Sequence, residues 1–584
     1  MTTSRTDWIL DSNVMEVTVN LSPVIAYFSM EVGLEPDMPT YSGGLGILAG
    51  DTLRAAADLN IPLVGVTLLH RKGYFRQHLD DRGNQTESPV DWYPEEFLEP
   101  QRPLASISIE GRTVQIRAWR YLIQGVSGYD VPVYFLDTAV EGNSDPDQSL
   151  TDQLYGGDSF HRLCQETVLG LGGVAVLRAL GYKRIKAFHM NEGHSALLSL
   201  ALLEEIKQEE GLGSINPEDI DAVRQQCVFT THTPVPAGHD KFPEQMVRQV
   251  LGDERAHFLN TFRCCVDEAL NMTYLALYFS HYINGVSHRH ESISQNMFPE
   301  YPINSVTNGV HALTWTTSPF RRLFDRHIPE WRRDNLYLRY ATCLPLDEII
   351  AAHAEAKQEL FAQAKQRTGI QLDPAVMTIG FARRATPYKR ADLLFSDIER
   401  LKQITSQAGA IQVIYGGKAH PRDESGKEMI RRIFQAREAL QDQVKVVYLE
   451  EYGMELGKAI CAGVDVWLNT PQKPREASGT SGMKAALNGV PSLSILDGWW
   501  IEGHVEGVTG WSIGNSWKAE SNPADEITSL YTKLESVVLP MFYQEPRKYA
   551  HVMRSAIAIN GSFFNAQRMM FQYLKNAYPN EEKP

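Results

Sequence analysis

Four cations, Arg383, Arg384, Lys389 and Arg390, fall within eight positions of a chain whose net charge is −15. A guanidinium offers phosphate a planar fork of donors and a lysine a mobile point charge, so this cluster suits one or two phosphate groups. The run Glu476-Ala477-Ser478-Gly479-Thr480-Ser481-Gly482-Met483-Lys484 offers related chemistry in another form. Its small residues and glycines let backbone N–H groups crowd around an anion, a helical stretch follows, and one lysine sits about a turn in. It is not a nucleotide P-loop, because Met483 separates Gly482 from Lys484 and Ala485 stands where Ser or Thr would hold magnesium. A lysine amine beside such a cradle suits attachment to an aldehyde cofactor carrying its own phosphate. Spacing alone leaves two plainer readings open: a structural turn with a surface lysine, and a solvated basic face pairing with acidic neighbours.

Glycines also mark the start of the chain's first helical pattern, in Gly43-Gly44-Leu45-Gly46. The stretch Gly44-x-Gly46-x-x-Ala49 fits a loose dinucleotide fingerprint, but the glycines do not directly follow a strand and the next strand ends in Leu68-Leu69-His70-Arg71 rather than an acid for a ribose. A helix start offered to a phosphate is the better reading. Three strand-to-loop junctions carry polar residues: Asn191-Glu192-Gly193-His194, His232-Thr233-Pro234 and Asn308-Gly309-Val310-His311. Each histidine alone reads as a structural hydrogen-bonded residue; together the junctions read as one rim of a site. The histidines of Ser287-His288-Arg289-His290 lack metal-ligand spacing, and no metal is expected.

The elements that must position these groups follow from apolar patterning. Strands are expected at 24–30, 62–67, 114–119, 132–136, 185–190, 227–231 and 303–307, and in a second series at 376–381, 412–415, 444–449, 464–468 and 491–495. Helical patterns precede residue 60, recur near 160–180 and close the chain over 545–577. Near-continuous apolar strands separated by helices suit parallel sheets covered on both faces. A chain of 584 residues exceeds one hydrophobic core, so two or more domains with a cleft are expected, the chain crossing near 316–320. The acidic balance disfavours nucleic acid as a partner. No apolar run is long enough to span a membrane, the first residues lack a secretory signal's apolar core, and six cysteines without a CxxC pair suit reduced thiols; a cytoplasmic protein is expected.

The run from Glu476 to Lys484, with Leu487-Asn488-Gly489 after it, resembles the pyridoxal-phosphate lysine motif of the α-glucan (glycogen, starch, maltodextrin) phosphorylases. The order of the other motifs agrees: Gly43-Gly44-Leu45-Gly46, His194, His232-Thr233, Asn308-Gly309, Arg383-Arg384 with Tyr388-Lys389, Gly417-Lys418-Ala419, and Tyr448-Leu449-Glu450-Glu451-Tyr452. The resemblance covers residues 24 to 575 or so. It implies an α/β fold of the GT-B type, two facing Rossmann-like doubly wound domains with the active site between them. The domains would span 1–317 and 318–555, with 556–584 a C-terminal helix packing back across the junction. The implied reaction is reversible phosphorolysis of terminal α-1,4-linked glucose to α-glucose 1-phosphate.

By that likeness Lys484 carries pyridoxal 5'-phosphate, Arg383, Gly479, Thr480 and Ser481 surround its phosphate, and Tyr452 lies along its ring. Arg384, Lys389 and the Gly44 amide would hold the substrate phosphate near that of the cofactor, with Gly43 alongside. Glu476, Ser478 and Gly479 would hold the glucosyl unit from one side and Asn308 and His232 from the other, the His232 carbonyl facing the anomeric region. His194 and Glu31 would support the site from behind. Lys484, Arg384, Lys389 and His232 are thus the expected catalytic group, and the partners are an α-1,4-glucan or maltodextrin and inorganic phosphate, in a possible homodimer. Two close phosphates can share a proton, one protonating the departing oxygen through the other.

The chain departs from the family where Arg383 replaces a common lysine and Ser481-Gly482 replaces Gly-Asn. With about 23 residues before the first matched strand, no counterpart is expected to the phosphorylation and nucleotide-activation apparatus of the animal enzymes. Trp499-Trp500 could stack on sugar rings or pack in a core. Two rivals share the cleft without needing the lysine loop: a glucan synthase using a nucleotide sugar, and a non-catalytic glucan-binding protein.

Overall fold

A computed structural model describes residues 24–578, apart from 208–210, 236–237, 263, 267, 441–442 and 519–521. The expected absence of a leader and the last residues of the C-terminal segment, 579–584, lie outside the described residues.

Nine strands form the first sheet: β1 (Val24–Ser29), β2 (Leu63–Leu68), β3 (Glu99–Ile109), β4 (Arg112–Gln124), β5 (Asp130–Asp137), β6 (Ile185–Asn191), β7 (Cys227–Thr230), β8 (Tyr282–Gly285) and β9 (Asn304–Ser305). Their order is β9-β8-β7-β6-β1-β2-β5-β4-β3, parallel except for the β3-β4-β5 meander at one edge. Six strands form the second, wholly parallel sheet: β10 (Met377–Ala382), β11 (Ile411–Gly416), β12 (Lys445–Leu449), β13 (Val466–Asn469), β14 (Ser492–Ile495) and β15 (Gly510–Ile513), ordered β12-β11-β10-β13-β14-β15. Strands such as β1, β2 and β10 are buried along their whole length, as continuous apolar runs covered on both faces require.

Five helices position the chemistry: α1 (Gly44–Asp58), α2 (Leu346–Thr368), α3 (Met454–Gly463), α4 (Ser481–Leu487) and α5 (Ala566–Asn576). Twelve of the fifteen residues of α1 are buried, since it lies between the first sheet and α5. Asn60, in the left-handed region at φ 56°, and Pro62 stop it. Asp347 and Glu348 open α2 and Lys365 and Arg367 close it, matching the helix dipole, and Gly369 at φ 73° ends it.

The expected strands are all present, although 303–307 shrinks to the two residues of β9. Within the two large sheets, three further strands escaped the pattern. β3 is an edge strand with mostly exposed side chains and two prolines, β8 reads Tyr-Ile-Asn-Gly, and β15 begins on a glycine. Of the two readings left open for the Trp499-Trp500 pair, core packing is the one found: both rings are buried, and Trp499 meets Trp500 and Phe564 edge-on. At the expected crossing, the Thr317 amide and hydroxyl both donate to Asn488 Oδ1, tying that stretch to the end of α4.

Candidate active site

In both sheets the strand order reverses beside the first strand of the series, between β1 and β6 and again between β10 and β13. Open α/β sheets bind ligands at the carboxyl ends of strands at such a reversal. Glu31 follows β1 and Glu192 follows β6; Arg383 and Arg384 follow β10, and Asn469 ends β13. The sheet connectivity therefore brings four polar strand ends forward.

At the second reversal, Glu476 is the hub. Its carboxylate accepts from Lys389 Nζ at 2.8 and 2.7 Å and from Arg383 Nη1 at 2.7 Å, and the same Nη1 also donates to Asn469 Oδ1. Burial by itself raises a carboxyl pKa, but Arg383 and Lys389 outweigh it and hold Glu476 down at about 2. Arg383 feels the converse: burial opposes its charge, and Glu476 more than compensates, raising its pKa. Asp497 accepts the Glu476 and Gly498 amides at 3.0 Å each, and burial, with the Glu476 charge adding to it, pushes its carboxyl up to about 7.

Gly479 sits at φ 78°, and a Cβ there would come within 3.2 Å of Glu476 Oε1 and 3.3 Å of Arg383 Nη2. Gly479→Ala is therefore expected to cost about 1–2 kcal/mol in stability, measured by denaturant titration, and to lower activity more than that loss explains. Ser478 Oγ and Asn308 Oδ1 are buried without a hydrogen-bond partner, two acceptors held ready for a ligand. Arg384 makes none of these pairs. It remains open to water among dense neighbours: burial opposes its charge, while Tyr388, Tyr74, Glu31 and Tyr155 together raise its pKa. Tyr74, Glu31 and Tyr155 all belong to the chain of the first sheet, so Arg384 looks across to it.

Lys484, on α4, is buried with its Nζ 3.5 Å from the centre of the Trp315 ring. Burial lowers its pKa, partly opposed by Asp51 and Cys461. Asp51, on α1, accepts from Trp315 Nε1 at 2.8 and 3.0 Å and is itself raised by burial, with Lys484 pulling the other way. Tyr452 packs nearby, burial raising its phenol, and the Ser481 hydroxyl accepts from Trp467 Nε1 at 3.2 Å while Thr480 caps α4.

At the first reversal, Glu31 accepts the amides of Ser42 (2.5 Å) and Gly43 (3.2 Å) and the Tyr155 hydroxyl (2.8 Å). This folds the glycine turn back on β1, and Cβ atoms at Gly43 and Gly44 would meet nothing within 4 Å, so the turn faces open space. Glu192, strained at φ 74°, accepts the His232 amide at 2.8 Å and the Thr233 hydroxyl at 3.0 Å. The His232 ring bonds Asn191 Oδ1 at 2.6 Å, and burial, opposed by Glu192, brings it down to about 4, so it is neutral at pH 7. His194 lies behind, 3.3 Å from Asp240. Glu166, His194 and Asp240 could converge on a cation, but Arg162 already donates to both carboxylates at 3.0 Å. Sequence reasoning gave no role to Trp315, Asp51, Tyr155, Glu192 or Asp497; a polar residue directly after a buried strand was the signal for Glu192, and none marked Trp315.

A carbohydrate phosphorylase family profile matches residues 179–510. A maltodextrin phosphorylase of Thermococcus litoralis is 39% identical over 95% of this chain and 70% of its own length. The chain belongs to the carbohydrate phosphorylase family. A glycogen phosphorylase of Mycobacterium tuberculosis is 35% identical over 98% of this chain and 73% of its own length, and an uncharacterized protein of Methanocaldococcus jannaschii is 30% identical over 95% and 99%. The second reversal, at Arg383 to Glu476, and the Glu192 side of the first lie within the matched span. Among the described residues no helix is long and apolar enough to cross a membrane.

Proposed function

We propose that the chain catalyses reversible phosphorolysis of terminal α-1,4-linked glucose in a maltodextrin or glycogen, releasing α-glucose 1-phosphate, with pyridoxal 5'-phosphate held by Lys484. The observation that carries this reading is the buried, deprotonation-biased amine of Lys484, in the same run as Glu476, whose anionic carboxylate holds Arg383 and Lys389 while the neighbouring Arg384 stays outside those pairs. Two facing domains with the site between them are the architecture this reading requires, and the Ser287 hydroxyl donating to the Ala477 carbonyl at 2.6 Å is one of the bonds supporting it.

The residues present fit such a cofactor. Burial biases the Lys484 amine towards the neutral form that an aldehyde needs, and Gly479 keeps clear a cradle that a Cβ would crowd against Arg383. Arg383, Gly479, Thr480 and Ser481 would hold the phosphate, and Tyr452 and Trp315 would flank the ring. Bound there, the group supplies an aldehyde for attachment and a phosphate able to exchange a proton with a second phosphate.

This chain's own residues do the rest. Arg384, with Lys389 shared from Glu476, concentrates cationic charge where a substrate phosphate must lie beside another anion. Glu476, anionic at every pH above about 2, accepts sugar hydroxyls, and Ser478 and Asn308 offer their unpartnered oxygens to the same ring. His232, held at its ring by Asn191 and at its amide by Glu192, is kept neutral by burial and so places no cation beside an oxocarbenium-like centre.

The test is release of glucose 1-phosphate from maltodextrin and inorganic phosphate by the purified chain; no release, with glucosyl transfer from a nucleotide sugar instead, would overturn the reading. Arg384→Ala is expected to raise KM for phosphate about 10- to 100-fold while changing KM for maltodextrin little, the loss of one charged hydrogen-bond donor.

A further inference from the structure

The Lys484 amine rests over the face of the Trp315 indole, and that ring is fixed from two sides. Asn488, at the end of α4, donates from Nδ2 to the Trp315 carbonyl and to the Lys484 carbonyl at 2.9 Å each, so one side chain ties the two backbones together. On the far side the indole N–H points between the two oxygens of Asp51, at 2.8 and 3.0 Å. Lys484, Trp315 and Asp51 are all buried, and among the described residues the Asp51 carboxylate accepts no other side-chain hydrogen bond.

A cation is drawn to the face of an indole, and a negative charge on the N–H edge of the same ring adds to that attraction. Asp51 is the acid placed to act this way. Cys461 also faces Lys484, but its thiol is pushed up to about 12 by burial, so it is neutral at pH 7, and its S–H donates to the Ser481 carbonyl at 3.6 Å. The cationic groups facing Asp51 besides Lys484 are engaged elsewhere: Arg54 donates to the carbonyls of Gly33 and Leu34, and the His311 ring bonds Asp58 Oδ2 at 2.9 Å. Burial lowers the lysine and raises the acid, and each opposes that effect on the other.

We propose that Asp51 is the positioning residue of Lys484: through the Trp315 indole it seats the amine on the ring face and supplies the negative charge against which the amine's proton is held. Its purpose rests on the reading of Lys484 as the cofactor lysine, since an amine that must meet an aldehyde in one orientation needs a fixed seat. The seat also joins the two halves of the chain. Asp51 lies about two turns along α1 from Gly44, so the helix that opens at the glycine turn also carries the acid behind Lys484.

The experiment is an NMR titration of the full chain, freed of cofactor and isotopically labelled at the lysine ε-carbons, with the Lys484 signal assigned by its loss in Lys484→Ala. Asp51→Asn keeps an oxygen for the indole N–H and removes the charge, so the Lys484 midpoint is expected to fall by about one pH unit or more. Trp315→Phe keeps a ring beneath the amine but leaves Asp51 without its donor, which favours the neutral acid; the midpoint is expected to fall here too. The double variant should shift it no further than the larger single change, as two residues acting through one contact require. A second readout is the pH at which added pyridoxal 5'-phosphate attaches, followed by near-ultraviolet absorbance, which should fall in step because the aldehyde takes the neutral amine. A Lys484 midpoint that stays at the wild-type value in either folded variant overturns the proposal. Shifted midpoints in a wild-type background that never attaches the cofactor would leave Asp51 its role and remove the cofactor from Lys484.

Discussion

Lys484→Ala is expected to abolish the near-ultraviolet absorbance of attached pyridoxal phosphate and to cut glucose 1-phosphate release by at least about 10²-fold, the scale on which roughly 1 Å of misplacement acts. The lysine is the only group of the site whose amine is both buried and biased to neutrality, so no neighbour can take over the attachment. The folded protein carries a second signature of the same residue. Its pKa is lowered, so between that value and the ordinary lysine range the unfolded chain binds more protons than the folded one. Stability of protein freed of cofactor should therefore rise with pH through that window, and the rise should be missing in Lys484→Ala. A variant that folds, keeps the absorbance and keeps turnover would mean that another amine holds the cofactor.

Most of the second sheet was legible because its strands are short apolar runs between helices, and the strand-end position of Arg383 and Arg384 followed directly from that. The lysine motif was legible because its residue types are unusual together. Trp315 and Asp51 were not legible. They meet Lys484 only because α1 packs against the first sheet and α4 extends the second, and contacts between segments more than 160 residues apart leave no local pattern. Asp497 was hidden for a related reason: its carboxyl matters through the Glu476 amide it accepts, 21 residues away in sequence. Trp499 and Trp500 stayed undecided because an aromatic pair after Asp-Gly looks the same whether it faces a sugar or a core; what separates the cases is that Gly482 leaves room for the Trp499 ring against α4.

Glu476→Gln should be the most destabilising of these substitutions, and its remedy should identify what the hub is for. In the wild type the folded pKa of about 2 lies below the ordinary 4.5, so Glu476 contributes stability that is fully present above pH 4.5 and lost as pH falls through 2. At 1.36 kcal/mol per unit this is about 3 kcal/mol. The amide removes the charge at every pH and leaves Arg383 and Lys389 buried without their carboxylate, at a cost of about 3–5 kcal/mol near neutrality. Inorganic phosphate can supply the negative charge that the two cations then lack. The denaturation midpoint of the variant is therefore expected to rise with phosphate concentration more steeply than that of the wild type, while turnover stays about 10- to 100-fold down because the sugar has lost its acceptor. Equal phosphate dependence in the two proteins would mean that Arg383 and Lys389 are structural partners of Glu476 alone. A steeper dependence with lost turnover assigns the cations to phosphate and the carboxylate to the sugar, a division of labour in which the free protein keeps its anion site closed on Glu476 until substrate arrives.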